Sequence, residues 1–270
     1  MRPDLTTLAG LALALGGIGF GLLLEGGSVV EILQPTAALI VFGGSFGATL
    51  VAQPLALIRG ALLDLAELFR EPEENRESDI DCVCSLADDA RRGGIIALEK
   101  QLPQIPDPFL CKAVSLVVDG IDAKEIRKTM MLETEQTFAR AEARAGVLET
   151  AGGFAPTVGI IGAVLGLIQV MKHLEDIDEV GKGIAVAFVA TVYGVGLANL
   201  LLLPAAKKIV ARAERAASRR EMLVEGAMAV AAGLNPRLIR IKLQNYLDDP
   251  PAGLNSQLRA DLEPHRTVEV

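Results

Sequence analysis

Four stretches of this chain, Leu5–Leu24, Pro35–Ile58, Phe154–Met171 and Ile184–Leu203, contain no Asp, Glu, Lys or Arg. Each is close to the ~20 apolar residues that an α-helix needs to cross ~30 Å of hydrocarbon. In lipid every backbone N–H and C=O must be satisfied within the segment, so such runs become helices. With 51% of 270 residues hydrophobic and the apolar residues gathered into these runs, the sequence predicts an all-α membrane protein with four transmembrane helices. The third run begins Gly153-Phe154-Ala155-Pro156-Thr157-Val158-Gly159-Ile160-Ile161-Gly162 and continues to Gly166-Leu167-Ile168. A lone anchor needs neither glycine nor proline; a helix packed closely against others around a pore can use both.

Topology follows from Lys and Arg. The first segment lacks a strong basic start and a small-x-small cleavage site, and reads as a retained helix rather than a signal peptide. The loop Glu25–Gln34 has no Lys or Arg, and Lys172–Gly183 has four acids between two lysines. Arg59, Arg70 and Arg76 follow the second helix, and Lys207, Lys208, Arg212, Arg215, Arg219 and Arg220 follow the fourth. The positive-inside rule then puts both short loops outside, and both termini and the long insert in the cytoplasm. Cys82, Cys84 and Cys111 lie in that insert, where thiols stay reduced. Cys82-x-Cys84 is not a zinc spacing, so these cysteines read as structural. A formal charge of −8 and no basic aromatic patch argue against nucleic acid.

Four regions follow: 1–58 as a hairpin, 59–153 as a helical cytoplasmic insert between helices two and three, 154–204 as a second hairpin, and 205–270 as a helical cytoplasmic C-terminus ending in a loose tail. Small-xxx-small pairs, Gly17/Gly21, Gly43/Gly47 and Gly162/Gly166, offer close backbone approach. Helix two is expected to run on through Arg59–Arg70 and to break at Glu71-Pro72-Glu73-Glu74-Asn75. Ser78 and Asp81 suggest a capping box opening a helix toward Arg92. Gly93-Gly94 stops it, a short helix follows through Leu102, and Pro103, Pro106 and Pro108 mark a bend before a helix over Phe109–Val118. Ala123 to about Thr150 is amphipathic and leads through Gly152-Gly153 into helix three. Helix four continues into Ala205–Ala232, and Asn235-Pro236 opens a last helix to about Leu247. No β-pattern stands out.

With no charge in any of the four runs, an ion relay would need its ionisable group from elsewhere. The polar side chains of helices three and four that could line a path are Thr157, Gln169, Thr191, Tyr193 and Asn199. Each can simply bond its own helix backbone; Thr191, central in helix four and facing glycine neighbours, is open to a functional reading as well. Pro156 and Pro204 fall at the cytoplasmic side of adjacent helices, where each marks either a helix terminus or one half of a paired hinge. His173 reads as a surface residue at the outer mouth. No Ser/His/Asp constellation, phosphate loop or metal spacing suggests an enzyme.

Three blocks now carry a resemblance. Ala155-Pro156-Thr157-Val158-Gly159-Ile160-Ile161-Gly162-Ala163-Val164-Leu165-Gly166, Val189-Ala190-Thr191-Val192-Tyr193-Gly194 running to Leu203-Pro204, and Leu86-Ala87-Asp88-Asp89-Ala90-Arg91-Arg92-Gly93-Gly94-Ile95-Ile96-Ala97-Leu98-Glu99 together resemble the MotA/PomA family. These are stator A subunits of the flagellar motor, within the MotA/TolQ/ExbB superfamily. The resemblance implies no resident cofactor, a transported H+ or Na+, and a MotB/PomB-like partner that brings the essential aspartate. It also implies a pentameric ring in the bacterial inner membrane and contact with the rotor switch protein FliG. By position it assigns Thr191, Thr157, Ala163 and Tyr193 to the ion path, Pro156 and Pro204 to conformational coupling, and Arg91, Arg92 and Glu99 to the rotor. Some members carry threonine where this chain has Ala163, which leans toward protons. A TolQ/ExbB-like energiser is the alternative; its three helices and missing rotor block tell against it.

Overall fold

The computed structural model describes residues 2–71 and 75–247. Pro72 with the two acids at 73–74, the Asp249-Pro250-Pro251 stop and the tail 254–270 lie outside the described residues. In chain order the elements are β1 (Arg2–Pro3), α1 (Leu5–Leu24), α2 (Val29–Ile32) and α3 (Pro35–Ala38). A π-helical turn (Leu39–Gly43) joins α3 to α4 (Gly44–Ala52), followed by α5 (Leu55–Glu67), β2 (Arg70–Glu71) and α6 (Arg76–Gly93). Two 3-10 segments, Ile95–Lys100 and Leu102–Gln104, lead to α7 (Pro108–Val118) and to the 50-residue α8 (Ala123–Lys172). Then come α9 (Ile177–Gly196), a second π-helical turn (Leu197–Leu202), α10 (Leu203–Ala231) and α11 (Pro236–Gln244).

Among the described residues four helices are long and apolar enough to cross a membrane: α1, the run Pro35–Ala52, α8, and the run Ile177–Ala231. The second is shorter than expected. Gln53 is extended at φ −127°, ψ 143° and Pro54 follows at ψ 138°, so the span stops at Ala52 and α5 starts afresh. The residue before proline is pushed out of the α region, and proline has no N–H to continue the ladder. The third and fourth are longer than the apolar runs: α8 passes through Gly152-Gly153 without interruption, and α9 starts at Ile177 rather than Ile184. Two further differences are local. Asn75, not Ser78, caps α6, accepting the Ser78 N–H at 3.1 Å. Residues 95–100 form 3-10 rather than α turns.

Packing divides the chain into two compact units, residues 1–73 with 139–213, and residues 74–138 with 214–270. In the first, α1 buries none of its residues. The core lies at two levels: Ala61, Leu68, Leu148, Leu202, Ala206 and Ile209 among others, and separately Ala37, Val41, Val189 and Ala190. A two-residue antiparallel ladder, Arg2↔Glu71 and Pro3↔Arg70, ties the start of the chain to the end of α5. It is a β element that no sequence pattern announced. Beside it Asp4 caps α1, accepting the Thr7 N–H at 3.0 Å, and is 7% exposed. Its carboxylate also receives Lys208 Nζ and, at 2.7 Å, Arg212 Nη2. The hydrogen bond from Lys208, then that from Thr6, hold the Asp4 carboxyl well below the usual carboxylate range. Arg212 further donates to the carbonyls of Glu67 and Leu68 at 3.0 and 2.9 Å, closing the last turn of α5. On α5, Asp64 pairs with Arg144 at 2.8 Å. Burial pushes its carboxyl above the ordinary range and Arg144 opposes this. Gly60 makes the pair possible, since a Cβ there would sit 2.4 Å from Arg144 Cδ.

The second unit has the larger core, built on Ile80, Val83, Leu98, Leu110, Ile126, Met130, Met222, Leu223, Ile239 and Leu243. Asp107 caps α7 with two 2.9 Å bonds to the N–H groups of Phe109 and Leu110. Arg219 of α10 forks onto Asp79 at 2.6 and 2.9 Å and reaches Asp107 at 2.8 Å. One guanidinium thereby joins the first turn of α6 to the cap of α7.

Candidate functional site

Within the first unit, α8 and α9 approach almost backbone to backbone. A Cβ on Gly159 would lie 2.9 Å from Ala190 O, one on Gly166 2.7 Å from Gly183 O, and one on Gly194 2.5 Å from Ala155 O. Gly162 abuts Ala190 Cβ at 2.7 Å on the same terms. Only glycine permits such contact, and in lipid it is this packing that holds helices together. Of the three small-xxx-small pairs read from the sequence, Gly162/Gly166 is used in this way; Gly17, Gly21, Gly43 and Gly47 meet nothing within 4 Å in the single chain. Instead Gly44 brings α4 against Val158, whose Cγ1 would be 2.6 Å from an added Cβ. The outward side of the hairpin is apolar and bare: Ile160, Ile161, Val164 and Leu167 are all more than half exposed, and Phe188 is 71% exposed.

The polar side chains of the hairpin spend their donors locally. Thr157 Oγ1 donates to Phe154 O at 2.7 Å, Thr191 Oγ1 to Ala187 O at 3.2 Å and Asn199 Nδ2 to Val195 O at 3.0 Å. A threonine bonded in this way keeps oxygen lone pairs free to accept or coordinate. Thr157 and Gln169 are exposed, Thr191 and Ala163 half-buried. Tyr193 points elsewhere: its hydroxyl donates to Ile32 O at 2.5 Å, and its ring lies 6.1 Å from that of Phe42. His173 is exposed, with Nδ1 3.1 Å from Gln169 O.

Neither proline ends a helix. Pro156 sits inside α8, so the carbonyl of Gly152, four residues before it, has no i+4 donor. Pro204 is the second residue of α10 and follows the π-helical turn Leu197–Leu202 with helical backbone at the Leu203 junction, φ −68° and ψ −43°. A wider turn is one way a helix absorbs a missing N–H. The two regions meet: Gly152 lies against Leu203 Cδ2, 2.9 Å from an added Cβ, and Gly194 against Ala155 O. Residues that flank each proline thus touch across the hairpin, and the terminus reading of both prolines falls.

In the second unit Arg91 and Arg92 close α6, where cations complement the helix dipole. Gly94 then turns the chain at φ 78°, and the 3-10 segment that follows packs back on α6 through Leu98, which is fully buried. Glu99 sits beside that anchor. Arg91, Arg92 and Glu99 are all exposed, and among the described residues none of the three has an ion-pair partner.

Sequence reading passed over Ser45 and Thr49 of α4, which are 0% and 3% exposed. Thr49 Oγ1 donates to Ser45 O at 2.8 Å. The cue available was Gly44-Ser45, a small step in an otherwise bulky run.

The MotA/TolQ/ExbB proton channel family matches residues 101–222, and the Motility protein A N-terminal family matches residues 8–93. Motility protein A of Bacillus subtilis (strain 168) is 36% identical over 245 residues, covering 90% of this chain and 91% of that one. Chemotaxis protein PomA of Vibrio alginolyticus is 33% identical over 248 residues, covering 91% and 96%. The structure of the flagellar MotAB stator complex from Bacillus subtilis superposes with a TM-score of 0.86 at 35% identity, covering 95% of this chain and 99% of that one.

Proposed function

This chain belongs to the MotA/TolQ/ExbB proton channel family and, within it, to the motility protein A subunits, and from that premise we propose that it is the A subunit of a flagellar stator. With a MotB-like partner it forms the channel that turns ion motive force into torque. The N-terminal family match reaches Arg91 and Arg92, and the relatives match along nearly their whole length. Both favour the stator over a TolQ/ExbB-like energiser.

One observation carries the mechanism: the α8–α9 hairpin is uncharged at membrane depth, packed glycine to backbone on one side and bare on the other. Such a surface is a wall that needs a neighbour. The partner's membrane helix supplies the acidic group that this chain lacks, and further copies, five in the proposed ring, close the wall around it. On this reading both termini and residues 59–153 face the cytoplasm, a topology supported by the Lys and Arg that follow the second and fourth helices.

Ions enter from outside past Thr191, with Thr157 and Ala163 on the same hairpin, and reach the partner's carboxylate. Neutralising it changes which copy of the ring it prefers, and the ring steps. Pro156 and Pro204 let α8 and α10 bend as it does. Arg91, Arg92 and Glu99 pass the motion to complementary charges on the rotor protein FliG. A charge crossing 100 mV releases ~2.3 kcal/mol. The coupling ion is a proton on this reading, because Ala163 offers no hydroxyl.

The deciding experiment is complementation of a stator-deletion strain. Swimming in sodium-free medium that stops on adding a protonophore is the expected result. Swimming only when sodium is restored would overturn the proton reading, and no swimming with any MotB-like partner would overturn the stator reading.

A further inference from the structure

Tyr193 lies sixteen residues after Ile177, about 24 Å along α9 at ~1.5 Å per residue. A helical side chain leans toward its own N-terminus, which carries the hydroxyl part of the way back. There it meets the connection between α2 and α3. Leu33, at φ −77° and ψ 82°, forms an inverse γ-turn closed by the Gln34 N–H to Ile32 O at 2.9 Å. The turn has no cap of its own, since Gln34 makes no side-chain bond to α3 and Pro35 follows directly. Tyr193 supplies what is missing: its hydroxyl donates to Ile32 O at 2.5 Å and accepts the Gln34 N–H at 3.4 Å. Around it Ala37, Val41, Val189 and Ala190 are buried, and Phe42 lies against the ring at 6.1 Å. The next residue, Gly194, is the point at which α9 rests on Ala155, just before Pro156.

We propose that Tyr193 is a positioning residue that latches the outer turn of the first membrane hairpin, at Ile32–Gln34, to the ion-path hairpin, so that the two move together when α8 bends at Pro156. The role assigned to the second hairpin rests on the stator reading; the latch itself rests on the geometry. The Gln34 N–H and the Ile32 C=O already pair with each other at 2.9 Å, and the Tyr193 hydroxyl adds a second bond to each, tying the turn to α9. A tyrosine whose hydroxyl is engaged in this way acts on ion passage through position, not by contact with the ion.

The test uses the full chain with a MotB-like partner and the substitution Tyr193→Phe, which keeps the ring and removes only the hydroxyl. Two quantities are read. Hydrogen exchange over residues 29–38 of the chain in lipid nanodiscs should quicken about fivefold to tenfold, the ratio expected for one net hydrogen bond. Single-motor speed at saturating motive force should fall at least about twofold, while the outer ion concentration giving half-maximal speed stays unchanged, the split expected when geometry rather than binding is lost. Unchanged exchange, unchanged speed or a shifted half-maximal concentration each overturns the latch; the last would return Tyr193 to the ion path itself. If the unsubstituted chain drives no motor, the stator reading fails, and the exchange measurement still decides whether the hydroxyl holds the turn.

Discussion

Asp4 shows how much a single side chain near the membrane edge can hold. It caps α1, accepts Lys208 and Arg212, and its backbone N–H donates to Phe69 O at 2.9 Å. Removing one member of a largely desolvated charge cluster leaves the others unpaired, so Asp4→Asn is expected to destabilise the purified protein by about 1–3 kcal/mol, read as a lowered unfolding midpoint in detergent. The pH dependence has a definite sign. The Asp4 carboxyl titrates lower in the folded than in the unfolded chain. Its stabilisation is therefore fully present above pH ~4 and is lost as pH falls below that value. Asp4→Asn should remove that part of the acid sensitivity. Thr191 makes a different residue-scale case. Its hydroxyl donates to Ala187 O and keeps lone pairs free to face an ion. Thr191→Val should lower motor speed severalfold without loss of the assembled complex, and Thr191→Ser should keep it. Arg91 and Glu99 are exposed, so in the proposed rotor contact each charge pair is modest and screened by salt. Arg91→Glu should impair swimming more than Arg91→Ala, and equal swimming of Arg91→Glu and wild type would remove Arg91 from the rotor contact.

At the scale of elements, what was legible and what was not follow from the range of the interactions. The apolar runs announced the spans because burial in lipid is written residue by residue. Their ends were less plain: Pro54 stops the second span by a local rule that the unbroken apolar run Pro35–Ile58 concealed. Asn75 caps α6 from one turn before the Ser78/Asp81 pattern, because the side chain that reaches the orphan N–H decides, not the motif. The three glycine pairs looked alike in sequence, yet only Gly162/Gly166 meets a helix of the same chain, since the neighbour and not the pair makes the contact. The role of Gly194 was hidden for the same reason. A methyl there would sit 2.5 Å from Ala155 O, so Gly194→Ala should force α9 off α8. The expected loss is about 1–3 kcal/mol in thermal unfolding, with a matching loss of motility. Gly17→Ala, with open space around it, should leave the unfolding of the isolated subunit nearly unchanged.

For the whole molecule, the fold is that of a subunit made for company. The unit that holds 139–213 leaves α1 and the outer side of the α8–α9 hairpin apolar and exposed, while the unit that holds 74–138 closes a full core of its own. Four membrane runs without a charged residue make a wall and not by themselves a relay. The measurement that bears on this most directly is proton flux into liposomes containing the purified chain alone, the chain with a MotB-like partner, and the chain with that partner's membrane aspartate changed to asparagine. Flux in the second case only is the expected result. Comparable flux through the chain alone, or through the complex with asparagine, would contradict a channel whose ionisable group comes from the partner.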